Sequence, residues 1–480
     1  MSNIKKNFMY NVVYQILVFI MPIVTAPYIS RVLGAEKVGI YSYTYSIVYY
    51  FMLFSMLGLN NYGNRQIAKV KDNKDELDKN FWSIYALQIC TSSIMIIMYT
   101  GYLILGLSSN NEIALIQIIY LISCAFDINW FFFGMEKFKL TVIRNTIIKI
   151  LTCLSVFLFV KQKDDLYIYA IIMSMGTLIS QLMLWPFLKK LIKFRKVKFG
   201  QDIKQHLKPC LILFVPVIAV SLYKIMDKIM LGNMTNMNQV GLYESSEKIT
   251  NMIIGIITSL GIVMLPRMSN LIANGKIEKG KQYIEKSIIF TMFISSALSF
   301  GIMAISDIFV IWFFGKEFSD SGIILKWLAI TGIFISIANV IRTQYLIPME
   351  KDKSYIISVS LGALVNIIAN LILIPKYKAV GAAVGTVIAE FSVMMYQIID
   401  VRKELDIFRY LKRGIKYIIT GFIMYILVSN LKINSESYLI ILIMQIGVGA
   451  VFYICSSIIC EMIYYREFEI KKLIKRIRQK

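Results

Sequence analysis

Charge is scarce in this chain. Only 17% of its 480 residues are Asp, Glu, Lys or Arg, while 57% are apolar. A water-soluble protein of this length wets its surface with roughly a quarter charged residues, so an ordinary soluble globule is excluded. Histidine occurs once, as His206, which leaves nothing for a histidine-dependent triad or metal cluster. The six cysteines (Cys90, Cys124, Cys153, Cys210, Cys455, Cys460) all lie in apolar stretches without a CxxC pair. They read as small buried hydrophobes, with no disulfide framework or zinc site. No Walker motif is present, so ATP is not expected to act directly. No cofactor is expected.

What is present is a series of long apolar runs. A helix needs about 20 apolar residues to cross the hydrocarbon core of a bilayer. Such runs fall at 9–30, 40–63, 81–106, 113–134, 142–160, 167–188, 209–232, 242–265, 287–305, 322–347, 355–374, 381–400, 417–431 and 438–464. The first follows Lys5 and Lys6, but it is too long for a signal core and contains Pro22 and Pro27, so it reads as a retained span. The expectation is an all-α membrane protein with about 14 transmembrane helices. Its outer loops are short, so any chemistry must occur among the helices or at their lips.

Lysine and arginine set the orientation. Most of the 52 basic residues fall between alternate runs if both chain ends face the cytoplasm. The basic residues thus edge the inner helix ends, where they face anionic lipid headgroups. That placement excludes nucleic acid as the partner that a net charge of +23 would otherwise suggest. The last stretch, KKLIKRIRQK at 471–480, reads either as an amphipathic helix on the membrane surface or as a solvated basic tail.

The chain also repeats itself. ISRVLGAEKVGIYSYTYSI at 29–47 parallels MDKIMLGNMTNMNQVGLYESSEKI at 226–249. Each shows a charge, an apolar-Leu-Gly stop, a polar loop, then Val-Gly-(Ile/Leu)-Tyr, and the two Val-Gly pairs lie 202 residues apart. GTLISQ (176–181) and GTVIAE (385–390) give a fainter echo. Two related halves around a central site are a common transporter plan. The division read from this is 1–200 as an N-terminal six-helix half, 201–410 as a C-terminal six-helix half, and 411–480 as an additional helix pair with a basic cytoplasmic tail. Gly34 and Gly232 are expected to end their helices in the left-handed conformation, and Gly39 and Gly241 to allow a tight return. Pro22, Pro27 and Pro216 are expected to bend the leading helix of each half.

Four segments in this order resemble a known family. They are P-x-x-S-R-V-L-G-x-x-x-x-G-x-Y at 27–41, DINWFFFGMEKFK at 127–139, DKIMLG at 227–232 and NLILIPKYKAVGAAVGTVIAE at 370–390. Together they are similar to Wzx-type polysaccharide flippases of the multidrug/oligosaccharidyl-lipid/polysaccharide exporter superfamily. The lipid II flippase branch carries several arginines in its first two spans, where this chain has Arg31 and Arg65. The drug/cation antiporter branch stops at twelve spans.

The resemblance implies a non-enzymatic flippase in the bacterial cytoplasmic membrane. It would move an undecaprenyl-pyrophosphate-linked oligosaccharide repeat unit from the inner to the outer leaflet, for capsule or another surface polysaccharide. Its implied partners are that lipid-linked oligosaccharide, membrane lipids, and polymerase and other polysaccharide assembly proteins. Two other readings stand beside it: a membrane polysaccharide polymerase or ligase, which generally needs a sizeable outer loop, and a drug/cation antiporter of the same fold.

Charges inside the runs mark the candidate site, because a charge at mid-membrane costs about 2.5–3.5 kcal/mol on insertion scales and normally faces a partner or water. For a pyrophosphate-bearing substrate the cations matter most: Lys149, Lys224, Lys228 and Arg342 are the substrate-binding candidates. Asp127, Asp227 and Glu390 are candidates for ion or proton coupling. Glu244, Glu247 and Lys248 share one helical face and are gate candidates; simple helix-to-helix pairing is the alternative for them.

Overall fold

A computed structural model describes residues 2–108, 110–198 and 200–477, and the side chains of these except 2–20, 138, 201, 223 and 464–477. Among the described residues every regular element is helical. They form two compact units, Met1–Glu244 and Ser245–Lys480. The basic segment 471–480 lies outside the described residues in its side chains and its last three positions.

In the first unit, α1 (Ser2–Met56) is two helical arms joined at Gly34, whose φ of 76° and ψ of 171° end the first arm. The short amphipathic α2 (Leu59–Val70) and the long α3 (Lys74–Ile104) follow. Asn73 caps α3 by accepting from the Glu76 amide at 3.3 Å. Asp75 and Glu76 in its first turn oppose the positive end of the helix dipole. α4 (Asn111–Ala125), α5 (Asn129–Gly134), α6 (Phe138–Phe159), α7 (Leu166–Leu182), α8 (Trp185–Leu188) and α9 (Gln201–Met234) complete it, with the first turns of α10 (Met237–Ala273).

The DINWFFFG segment is the packing centre here. Trp130, Phe131 and Phe132 are fully buried with Phe81, Ile84, Leu59 and Ile67. The indole N–H of Trp130 donates to Gln88 Oε1 at 2.9 Å. A methyl at Gly63 would strike the Trp130 ring, and one at Gly134 would strike Ile67.

The second unit holds α11 (Ile277–Phe314), α12 (Ser321–Ile341) with a π-helical turn at Arg342–Leu346, α13 (Asp352–Val401), α14 (Ile407–Ser429) and α15 (Tyr438–Ile477). α13 is a helical hairpin rather than one rod. Pro375 precedes Lys378, whose φ of 51° and ψ of −129° reverse the chain. Its arms then pair antiparallel: Gln397 Nε2 donates to Ser358 Oγ at 3.0 Å, Gly362 faces Val393, and Gly385 faces Asn370. The residue numbers of all three pairs add to the same total, as a hairpin requires.

Ten described helices are long and apolar enough to cross a membrane, with α13 counted as one. The second arm of α13, the two arms of α1 and the amphipathic α14 supply the other apolar runs. The chain is therefore an all-helical, multi-span membrane protein. One expectation fails. Gly232 does not end a helix in the left-handed region, since α9 continues to Met234 and Gly232 is not among the glycines with positive φ. Its lack of a side chain instead makes room for the ring of Tyr43.

Candidate functional site

The charges of α9 are sorted by their spacing. Lys224, Asp227 and Lys228 stand at i, i+3 and i+4; Asp227 and Lys228 are buried, at 1% and 8% exposure, while Lys224 is exposed. Lys228 Nζ lies 2.9 Å from Glu244 Oε2 at the start of α10. Ser42 Oγ, on the second arm of α1, donates to the same carboxylate oxygen at 2.8 Å. From the adjacent position on each helix, the Tyr243 hydroxyl donates to Asp227 Oδ2 at 2.6 Å. Three helical segments thus meet at a buried ionic cluster, its carboxylates held by hydroxyl donors. A buried ion pair of this kind adds little net stability, because desolvation offsets the attraction.

The cluster sits on a seam between the two copies of the repeat. A Cβ at Gly39 would overlap the carbonyl of Met237, and one at Gly241 would overlap the carbonyl of Ala35. Under the 202-residue offset, Gly39 corresponds to Gly241 and Ala35 to Met237, so the two contacts are the same contact seen from opposite sides. Ser42 and Glu244 are also equivalent positions, and they hydrogen-bond to each other. This reciprocity is that of an isologous, two-fold interface. The Val-Gly signature therefore marks a place where backbone meets backbone and no side chain fits. Tyr43 fastens the seam by donating to Asn233 Oδ1 at 2.5 Å.

A second polar network lies around α5 and α6. Asp127 Oδ1 accepts from the Asn129 amide at 2.9 Å and from Asn129 Nδ2 at 2.7 Å, closing the turn that starts α5. Arg144 is buried, and its guanidinium donates to Ser180 O at 2.7 Å, Asn129 Oδ1 at 2.9 Å and Asn145 Oδ1 at 2.6 Å. Lys149 is half-buried one turn further along α6.

The remaining candidates belong to the second unit. Arg342 opens the π-helical turn with its guanidinium 5.5 Å from the centre of the Tyr355 ring. Glu390 is buried on the second arm of α13, and Glu247 and Lys248 are half-buried on α10. The structure thus joins Asp227, Lys228 and Glu244 in one cluster within the first unit. Sequence reasoning missed Ser42 and Tyr243; Ser42 is legible only as the repeat partner of Glu244. It also missed Gln344, fully buried in the π-helical turn with neither side-chain polar atom hydrogen-bonded among the described residues.

The described helices thus make a multi-span membrane protein with a charge pair buried among them. Two solved folds are similar. The inward closed conformation of the lipid II flippase MurJ has a TM-score of 0.73 at 18% identity, covering 95% of this chain and 99% of that one. An inward-facing multidrug resistance MATE family transporter of the MOP superfamily has a TM-score of 0.59 at 14% identity, covering 82% and 95%. At such identities they show the fold alone. Residues 4–272 match the polysaccharide biosynthesis protein family, and the chain belongs to that family. Among its relatives, the "Putative O-antigen transporter" of Escherichia coli (strain K12) is 24% identical over 412 residues, which is 84% of this chain and 97% of that protein.

Proposed function

We propose that the protein is a flippase that moves an undecaprenyl-pyrophosphate-linked oligosaccharide repeat unit from the inner to the outer leaflet by alternating access. The product would serve capsule or other surface polysaccharide assembly, in a bacterial cytoplasmic membrane with both chain ends in the cytoplasm. Family membership and the name of the E. coli relative support the substrate class. The observation that carries the mechanism is the ionic cluster on the repeat seam, where Lys228 is neutralised by Glu244. While the seam is shut, this ammonium is occupied. Parting the seam releases it, and a pyrophosphate can replace the carboxylate as its partner.

In this reading Lys149, Lys224, Lys228 and Arg342 attract the pyrophosphate. Glu244, Glu247 and Lys248 gate the outer side, and Asp127, Asp227 and Glu390 couple transport to protons or sodium. Polymerase and other assembly proteins would take up the product. Depleting the protein tests the reading directly: lipid-linked repeat units should accumulate in the inner leaflet. Unpolymerised units accumulating in the outer leaflet would instead indicate a polymerase.

A further inference from the structure

The first unit contains an open cavity of about 510 Å³ between α6 and the α7–α8 end. Its walls are apolar: Leu140, Ile143 and Ile147 recur along one face of α6, opposite Met183, Leu184 and Phe187. Ile143, Ile147, Met183 and Phe187 are large hydrophobes left exposed by the fold, which suits a surface facing acyl or isoprenoid chains rather than water. One end is cationic. Lys137 and Lys139 stand exposed at the start of α6, and Arg144 lines the wall. The acid at that rim, Glu136, is 2.8 Å from Lys71 and so already neutralised. The amino end of α6 adds a positive helix dipole at the same rim. The distribution of basic residues assigns this end to the cytoplasmic face.

Two exposed lysines at the rim of an apolar trough, with Arg144 set further along its wall, match a lipid with a compact polyanionic head and a long apolar tail. We infer that this groove is an inner-leaflet docking site for a polyprenyl pyrophosphate, the pyrophosphate lying on Lys137 and Lys139 and the isoprenoid tail along Ile143, Ile147 and Phe187. Arg144 is held by acceptors on α5, α6 and α7, so it contributes a fixed field rather than a moving contact. The inference rests on the flippase reading and deepens it. The lipid-linked substrate is captured on the outside of the helical bundle before its headgroup reaches Lys228.

The test uses the full chain in phosphatidylcholine nanodiscs, with undecaprenyl pyrophosphate as probe and phosphatidylglycerol as competitor, read by native mass spectrometry. The wild type should retain the probe against excess phosphatidylglycerol. The double substitution Lys137→Glu, Lys139→Glu should weaken retention roughly tenfold or more, the cost of losing charge-assisted contacts. Ile147→Trp, which fills the trough without altering charge, should weaken it independently, so a folding defect in one variant does not decide the matter. Equal retention in both variants, or displacement of the probe by phosphatidylglycerol at parity, overturns the docking site. The flippase reading is scored separately, by whether the wild type restores surface polysaccharide to depleted cells. Restoration with unchanged probe binding in the variants sinks the groove alone.

Discussion

At the scale of single residues, the informative fact is that Lys228 and Glu244 are buried together. Removing one partner strands the other charge away from water, which costs about 3–5 kcal/mol. Glu244→Leu alone should therefore lower the thermal midpoint of the detergent-solubilised protein markedly. Replacing both, as Lys228→Met with Glu244→Leu, should restore stability, because apolar substitutes of similar size pack without desolvation. Transport should remain lost, since the released ammonium is what the proposed mechanism uses. A stable double variant that still exports polysaccharide would show the pair to be a packing device only.

A second residue-scale effect lies at the joint between α12 and α13, outside the spans. Lys351 and the Tyr345 hydroxyl both bond the Glu404 carboxylate, and the Lys351 bond is the larger cause holding its pKa below the ordinary glutamate value. The group is depressed in the folded state, so the stabilisation is present above the usual glutamate pKa of about 4.3. It is lost as pH falls below that value, toward the folded pKa. Both side chains are partly solvated, so the effect should stay under about 1 kcal/mol. Protection factors across 347–352, taken relative to the intrinsic exchange rate at each pH, should fall on acidification in the wild type. In Glu404→Gln they should already be low at neutral pH and change little on acidification.

At the scale of elements, the seam makes a symmetric prediction. Gly39→Ala and Gly241→Ala each place a methyl on the opposing carbonyl, and overpacking of this kind costs about 1–3 kcal/mol or more. Because the two contacts are repeat-equivalent, the two variants should have matching defects. Once the first methyl has parted the backbones, the second has little left to disturb, so the double variant should fall well short of additive. The expected signature is increased labelling of a cysteine placed at Ser42. Additive defects with no gain in labelling would mean that the glycines act independently of any opening. The α13 turn offers a second element-scale outcome. Lys378 holds a backbone conformation that suits glycine, and Lys378→Gly should stabilise the hairpin by about 1 kcal/mol, seen as a raised thermal midpoint.

At the scale of the whole molecule, the helical architecture was legible because the bilayer imposes a length on every span, and hydropathy reads that length directly. The helix pairs at Gly34 and Lys378 were separable in sequence for the same reason, although the backbone runs through each as nearly continuous helix. The site was legible only in part. Hydropathy reveals that a charge is inside a span but not which neighbour it meets. Lys224 and Lys228 are therefore alike in sequence, yet one is exposed and the other paired. Ser42 carries no charge and was invisible without the repeat offset. For Asp127 the sequence shows the cost in lipid but not the neighbours, and the structure adds the Asn129 donors that close its turn.

Whether the final helix pair is peripheral is decided by how it packs. α14 lies against α11 through small residues: a methyl at Gly414 would strike Met292, and one at Gly421 would strike Phe300. α15 closes the same layer, its Tyr453 hydroxyl donating to Phe293 O at 2.8 Å, while Glu461 is 2.5 Å from Lys416. Met424, Val428, Leu442 and Tyr453 belong to one core with Met292, Phe300 and Ile333. Glycine-mediated helix contacts are the main packing device where lipid is as apolar as the side chains. Ending the chain after Glu404 should therefore destabilise α11 and α12 rather than trim an independent appendage. The expected outcome is loss of membrane-integrated protein and protease sensitivity within 277–346. Supplying 405–480 as a separate fragment should partly rescue it. A truncated chain that accumulates normally and exports polysaccharide would show that the pair is dispensable to the fold.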